Sequence, residues 1–172
     1  MLPYIVVTGP ECTGKTTLAT QLATHFGGIL VPEYARTYLD NLPQPYTVDD
    51  LTRIAEGQWQ AIADAQKHAT SCLICDTDLR VIRIWSIWKY GVCEATIDAL
   101  IAAFKPHLYL LCAPDLPYQL DPLRENPDDL DALYLRYEQD LVADAQPFVC
   151  ISGFGESRLQ SAIAAISAIM RA

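Results

Sequence analysis

The chain has 172 residues, enough for one domain with a sizeable core and too few for two comfortable ones. With 51% hydrophobic and 19% charged residues it sits among folded globular chains rather than disordered ones. A formal net charge of −9, with the 12 Lys and Arg scattered singly, excludes nucleic acid and anionic membrane as expected partners.

From the N-terminus, "PYIVVTG" (3–9) is a continuous apolar run, as in a parallel strand covered on both faces. It starts without the charged region and cleavage site of a signal peptide, and no apolar run reaches the about 18–20 residues that cross a membrane. A cytoplasmic location is therefore expected.

"GPECTGKTT" (9–17) follows, with the spacing Gly, four residues, Gly-Lys-Thr, and a helical pattern runs over 15–26. Its glycines let backbone N–H groups turn inward as an anion nest, at a helix N-terminus that itself favours negative charge. The donor set is Gly9, Pro10, Glu11, Cys12, Thr13, Gly14, Lys15, Thr16 and Thr17. Lys15 reaches the β- and γ-phosphates of ATP, and the Thr16 hydroxyl ligates Mg²⁺.

A second strand, "GILVPE" (28–33), ends in Glu33 and leads into "EYAR". Glu33 either accepts the proton of an attacking hydroxyl or pairs only with Arg36, and both belong to the acceptor side. The Pro-rich "NLPQPYT" (41–47) is a loop before a long helix over 47–69, opened by Thr47 and Asp50 as an acidic variant of the capping box. On that helix Gln58 shares the 51/55/58/62 face; it either points into an acceptor pocket or bonds only to backbone.

The third strand, "SCLICD" (71–76), holds Cys72 and Cys75 of the six cysteines, and residues three apart on a strand face opposite ways. With no second pair at ligand spacing, the cysteines read as small apolar thiols in a reducing compartment. Asp76 at the strand's end holds Mg²⁺ or shares the base role. Asp78 either bonds acceptor hydroxyls or caps the next helix, 79–90. Trp85 and Trp88 lie on that helix, three apart. Trp85 is a candidate for holding a flat or cationic ring, while Trp88 reads as core packing.

After a helical pattern at 94–104 comes the fourth strand, "HLYLLCA" (107–113), then Tyr118 and the polar, Pro-punctuated "DPLREN" with Arg124. A lid at about 115–130, carrying Arg124 over the transferring phosphoryl group, excludes water and neutralises developing charge. The chain closes with a helix over 129–145, the strand "FVCISG" (148–153), "GFGES" and a helix over 156–170. Gly153 and Phe154 are candidates for cradling adenine, though such a turn suits any strand-to-helix junction.

This alternation predicts a single three-layer α/β domain over 1–172 with a five-stranded parallel sheet. In open α/β sheets ligands sit outside the carboxyl ends of the strands, and polar or aromatic residues gather after all five. No guanine-reading Asn-Lys-x-Asp is present, and "CDTD" lacks the Glu by which motor ATPases place a water. Phosphoryl transfer to a small acceptor is the better reading.

With "GPECTGKTTLA" (9–19), "VPEYART" (31–37), "IAEGQ" (54–58), "LICDTD" (73–78), "IWSIW" (84–88) and "LLCAPDLPYQLDPLREN" (110–126), the chain resembles the nicotinamide riboside kinase domain of NadR-type proteins nearly end to end. The resemblance implies a P-loop kinase fold of the nucleoside-kinase type with strand order 2-3-1-4-5. It also implies ATP- and Mg²⁺-dependent 5′-phosphorylation of nicotinamide riboside in NAD salvage. By position, Lys15 and Thr16 serve ATP and Mg²⁺, Glu33 and Asp76 the hydroxyl–metal centre, and Arg124 the lid, with Tyr118 and Trp85 at the pyridinium ring. Leu130 stands where such domains often carry a second lid arginine, leaving that chemistry to Arg124 or Arg136. A kinase for another nucleoside and a nucleotide-sensing regulatory protein are the competing readings. Oligomeric state is not encoded in any of these features.

Overall fold

All five apolar runs form strands: β1 (Tyr4–Thr8), β2 (Ile29–Val31), β3 (Leu73–Asp76), β4 (Leu108–Cys112) and β5 (Phe148–Ile151). The computed structural model describes residues 2–42, 45–119 and 128–171. The strands pair in parallel, in the order β2-β3-β1-β4-β5. This is the α/β sheet and strand order that the sequence and its resemblance imply. The three central strands are buried throughout, which is why their sequences run apolar without alternation. At the edge of the sheet β5 leaves Val149 and Cys150 exposed, so its apolar run is covered on fewer sides than a central strand's.

The helices among the described residues are α1 (Lys15–Phe26), α2 (Tyr34–Asp40), α3 (Val48–His68), α4 (Leu79–Tyr90), α5 (Ala95–Ala103), α6 (Leu130–Ala143) and α7 (Gly155–Met170). At the start of α3 the Thr47 N–H donates to Asp50 Oδ2 at 2.8 Å, while Thr47 Oγ1 accepts from the Asp50 N–H at 3.4 Å. The Thr47 hydroxyl, 2.7 Å from Asp50 Oδ2, and then the Thr47 N–H hold the Asp50 carboxyl below its usual pKa. Tyr38 adds a third partner, its hydroxyl donating to Asp50 Oδ1 at 2.8 Å, and so ties α2 to α3.

The α2 helix is absent from the sequence-based expectation. Seven residues give too little length for a 3.6-residue period to show. Its stability comes from the Tyr38–Asp50 contact and from a tilted Tyr34–Tyr38 ring pair, 6.3 Å between centroids. Trp88 is a second difference: it is 40% exposed rather than core. Burial on α4 ends at Ser86, so the last turn runs beyond the packed layer.

The sheet divides two cores. One gathers residues of α2, α3, α4, α5 and α6 against Val6, Cys75 and Tyr109. The other packs α1 and α7 against Ile5, Val7, Cys72 and Ile74. Cys72 and Cys75 thus fall on opposite faces of β3, as strand geometry requires.

Candidate active site

The site begins at the carboxyl end of β1, where Val7 lies in register with Asp76 of β3 and Leu110 of β4. Gly9 then passes so close to β4 that a Cβ there would sit 2.7 Å from the Cys112 carbonyl oxygen. Beyond it, Cys12 (φ 59°) and Gly14 (φ 71°) take left-handed conformations that curl the loop into a nest of N–H groups. The Thr13 hydroxyl donates to the Pro10 carbonyl at 2.8 Å and closes the curl. Lys15 opens α1, its ammonium folded back onto the same Pro10 carbonyl. Backbone donors, a helix N-terminus and a lysine converge here, so the loop can hold a phosphate chain.

A cavity of about 340 Å³ lies over this loop. Gly9, Glu11, Cys12, Thr13, Gly14, Lys15, Thr16 and Thr17 line one side of it. Glu33 and Arg36 line the other, with Trp85 of α4 and Tyr137 of α6. The structure therefore brings donor-side and acceptor-side candidates to one space. Tyr137, 3% exposed, is the residue that sequence reasoning missed. It shares a buried stripe on α6 with Leu133 and Leu141, so its spacing reads as core alone. Burial, then the charges of Glu33 and Asp78, push its phenol well above the usual range and keep it a neutral donor.

Asp76 stands behind the loop, 4% exposed, and its Oδ1 has no hydrogen-bond partner. Burial pushes its carboxyl pKa up, opposed by the neighbouring Thr16 hydroxyl and the charges of Lys15 and Arg36. An orphaned carboxylate oxygen beside a hydroxyl fits a hard cation that takes its remaining ligands from phosphate and water. Among the described residues no cluster of three or more His, Cys, Asp or Glu offers a closed metal cage. Thr16 and Asp76 are the residues that would hold Mg²⁺.

Other candidates lie elsewhere. Asp78 accepts the Arg80 N–H at 3.0 Å and the Tyr109 hydroxyl at 2.6 Å, so it caps α4 inside the core rather than facing the cavity. Arg80 in turn pairs with Asp140 at 2.8 Å and Asp144 at 2.7 Å, and Arg83 joins both, fastening α4 to α6. Gln58 spends its amide on backbone: Oε1 accepts the Tyr34 N–H at 2.7 Å and Nε2 donates to the Pro32 carbonyl at 3.3 Å. It grips the turn that carries Glu33 instead of lining the pocket. Tyr118 donates to Glu11 Oε1 at 3.1 Å, while its neighbours Pro117 and Gln119 line the cavity. Gly153 and Phe154 stand apart from the cavity lining, Gly153 donating to Asp115 at 2.6 Å and Phe154 61% exposed. Arg124 and the rest of the 120–127 segment lie outside the described residues.

Gly57 makes the "EYAR" turn possible, since a Cβ there would lie 2.1 Å from the Tyr34 ring. Gly57→Ala is expected to destabilise the fold by about 1–3 kcal/mol through overpacking, despite alanine's better helix propensity. Chemical denaturation measures this; a more stable variant would show that the ring moves aside freely.

With the geometry in place, comparison with known proteins becomes informative. The family profile described as AAA domain matches residues 4–158. The chain belongs to the AAA domain family. Within it, this AAA domain is 29% identical over 133 residues to the trifunctional NAD biosynthesis/regulator protein NadR of Escherichia coli K12. That match covers 74% of the chain and 32% of the relative, so the chain spans about a third of the curated relative's length. The fold is that of a NadR protein solved with NR, at a TM-score of 0.80 and 22% identity over 99% of this chain and 52% of that one. A NadR complex with NAD and AMP-PNP superposes at 0.77, with 22% identity, over 98% of this chain and 49% of that one. Thymidylate kinase from Ehrlichia chaffeensis superposes at 0.69, with 13% identity, over 95% and 98% of the two chains. The AAA domain thus has a kinase-type P-loop fold, and no helix among its described residues is long and apolar enough to cross a membrane.

Proposed function

We propose that the protein transfers the γ-phosphoryl group of ATP to the 5′-hydroxyl of nicotinamide riboside, giving the mononucleotide in cytoplasmic NAD salvage. The observation that carries this reading is the shared cavity, with the Gly9–Thr17 loop on one wall and Glu33, Trp85 and Tyr137 on the other. Two carboxylates, Glu11 and Glu33, and two aromatic rings border a space that suits a cationic pyridinium better than a neutral pyrimidine. The NR complex of a NadR relative with this fold supports the same acceptor.

In this mechanism Glu33 accepts the proton of the acceptor hydroxyl as its oxygen attacks the γ-phosphorus. The bond from that phosphorus to the β–γ bridging oxygen breaks, and ADP leaves. Lys15 and the loop N–H groups hold the phosphates, with Gly153 and Phe154 beside the adenine. Thr16 and Asp76 would hold Mg²⁺, which would supply neutralisation of phosphate charge. Arg36 and Trp85 orient the acceptor, with Tyr118 near its ring.

The test is ADP release with ATP, Mg²⁺ and a panel of nucleosides. Nicotinamide riboside is expected to stimulate release most strongly. A preference for thymidine or cytidine would move the protein to another nucleoside kinase activity. Tight AMP-PNP binding with no acceptor-stimulated release would instead identify a nucleotide-sensing protein.

A further inference from the structure

Arg158 lies in the first turns of α7, outside the cavity lining, and is 5% exposed. One guanidinium there joins four segments. Its Nη2 donates to the Thr13 carbonyl at 2.8 Å and to the Ala113 carbonyl at 3.2 Å. Its Nη1 donates to Asp115 Oδ1 at 2.6 Å and to the Gly153 carbonyl at 2.9 Å. Its Nε is buried without a partner. A cation buried with one donor unsatisfied is costly, and apolar residues of similar volume often serve packing as well or better. Packing alone therefore does not account for it.

The contact with Thr13 has a specific consequence for the loop. In a trans peptide the carbonyl of one residue and the N–H of the next point in opposite directions. Arg158 holds the Thr13 carbonyl toward α7, and the same peptide plane turns the Gly14 N–H the opposite way. The Thr13 hydroxyl, bonded to the Pro10 carbonyl, keeps the residue from rotating back. The guanidinium charge also polarises that peptide and makes its N–H a stronger donor.

We propose that Arg158 is a positioning residue for the donor phosphates, aiming the Gly14 N–H into the nest before nucleotide arrives. This rests on reading the loop as the ATP site. It assigns to α7 a part in phosphate binding separate from any contact with adenine.

The test compares wild type, Arg158→Met, Arg158→Lys and Asp115→Asn for AMP-PNP affinity by calorimetry, melting temperature and the Gly14 amide proton shift. Arg158→Met is expected to weaken AMP-PNP binding about 10-fold, as for one charge-assisted contact, and to abolish the downfield Gly14 shift that nucleotide produces in wild type. Arg158→Lys keeps the charge but loses the fork, and is expected to fall between the two. Asp115→Asn removes the ion pair while leaving the Thr13 contact, so it is expected to lower the melting temperature yet keep the Gly14 amide shift that nucleotide produces. Unchanged affinity in Arg158→Met would overturn the proposal, as would loss of the Gly14 shift in Asp115→Asn. Should Arg158→Met fail to fold, Arg158→Lys binding as tightly as wild type, or a wild-type Gly14 amide that nucleotide does not shift, would overturn it equally. A wild-type protein that binds no AMP-PNP at all would remove the donor-site reading itself, a result distinct from these.

Discussion

Alanine at Lys15 is expected to lower kcat by about 10³-fold and to weaken nucleotide binding, because this ammonium is the one side-chain cation the loop itself brings to the phosphates. It donates to the Pro10 carbonyl within its own loop. Binding then exchanges a neutral acceptor for an anionic one, and the gain grows as charge shifts toward the bridging oxygen. Its hydrogen bond stays within the loop, but its charge favours the ionised form of the buried Asp76 carboxyl, so the variant's melting temperature should fall modestly at neutral pH. Arginine is expected to be a poor substitute, since a planar fork does not fill the place of a compact point charge. Steady-state ADP release and AMP-PNP calorimetry measure both effects. A kcat within about 3-fold of wild type would show that the backbone nest suffices alone.

Glutamine at Glu33 and asparagine at Asp76 separate two roles that both carboxylates can fill. Glu33→Gln is expected to lower kcat by about 10²–10⁴ while AMP-PNP affinity stays nearly intact, the signature of a lost base. Asp76→Asn is also expected to lower kcat, but together with a higher Mg²⁺ requirement. An unchanged kcat in Glu33→Gln would hand the base role to Asp76. Stability provides a second distinction. Burial raises the Asp76 carboxyl pKa in the folded protein, so its contribution to stability is fully present below the unfolded pKa and is lost as pH rises through the folded one. Asparagine does not ionise. In metal-free protein at neutral pH, Asp76→Asn should therefore melt above wild type, and the difference should shrink toward about pH 4. A variant that melts lower at pH 7 would show that Lys15 and Arg36 outweigh the burial.

The parallel sheet and the phosphate loop were legible because each depends on local pattern, unbroken apolar runs, turn glycines and a fixed motif, whereas the strand order came only with the family resemblance. Legibility falls where distant segments decide a residue's role. Asp78 and Gln58 each had an ordinary alternative in the sequence, a cap and a backbone bond, and the structure places them there. What decides for Asp78 is Tyr109, which lies 31 residues on and reaches its carboxylate from β4. Tyr137 carries a core residue's spacing, and only the crossing of α6 over the sheet's end reveals it on the cavity wall. The Arg80–Asp140 pair spans 60 residues, and Arg158 meets Thr13 across 145, separations at which no sequence period survives. Arg36 and Trp85, by contrast, followed recognisable strand ends and lie on the cavity wall.

The partition of the interior by the sheet has an evolutionary consequence. In the proposed reaction the donor parts, the loop with α1 and α7, rest on the core built from Ile5, Val7, Leu18 and Ala162. Acceptor parts on α2, α4 and α6 rest on the other, built from Val6, Leu51, Ile82 and Tyr137. Substitutions that reshape the acceptor wall repack one core and leave the nucleotide's supports in the other untouched. Such a chain can drift among acceptors without losing its phosphoryl donor on the way. Ile5 and Val7 on one face of β1 and Val6 on the other keep the two supports apart within a single strand.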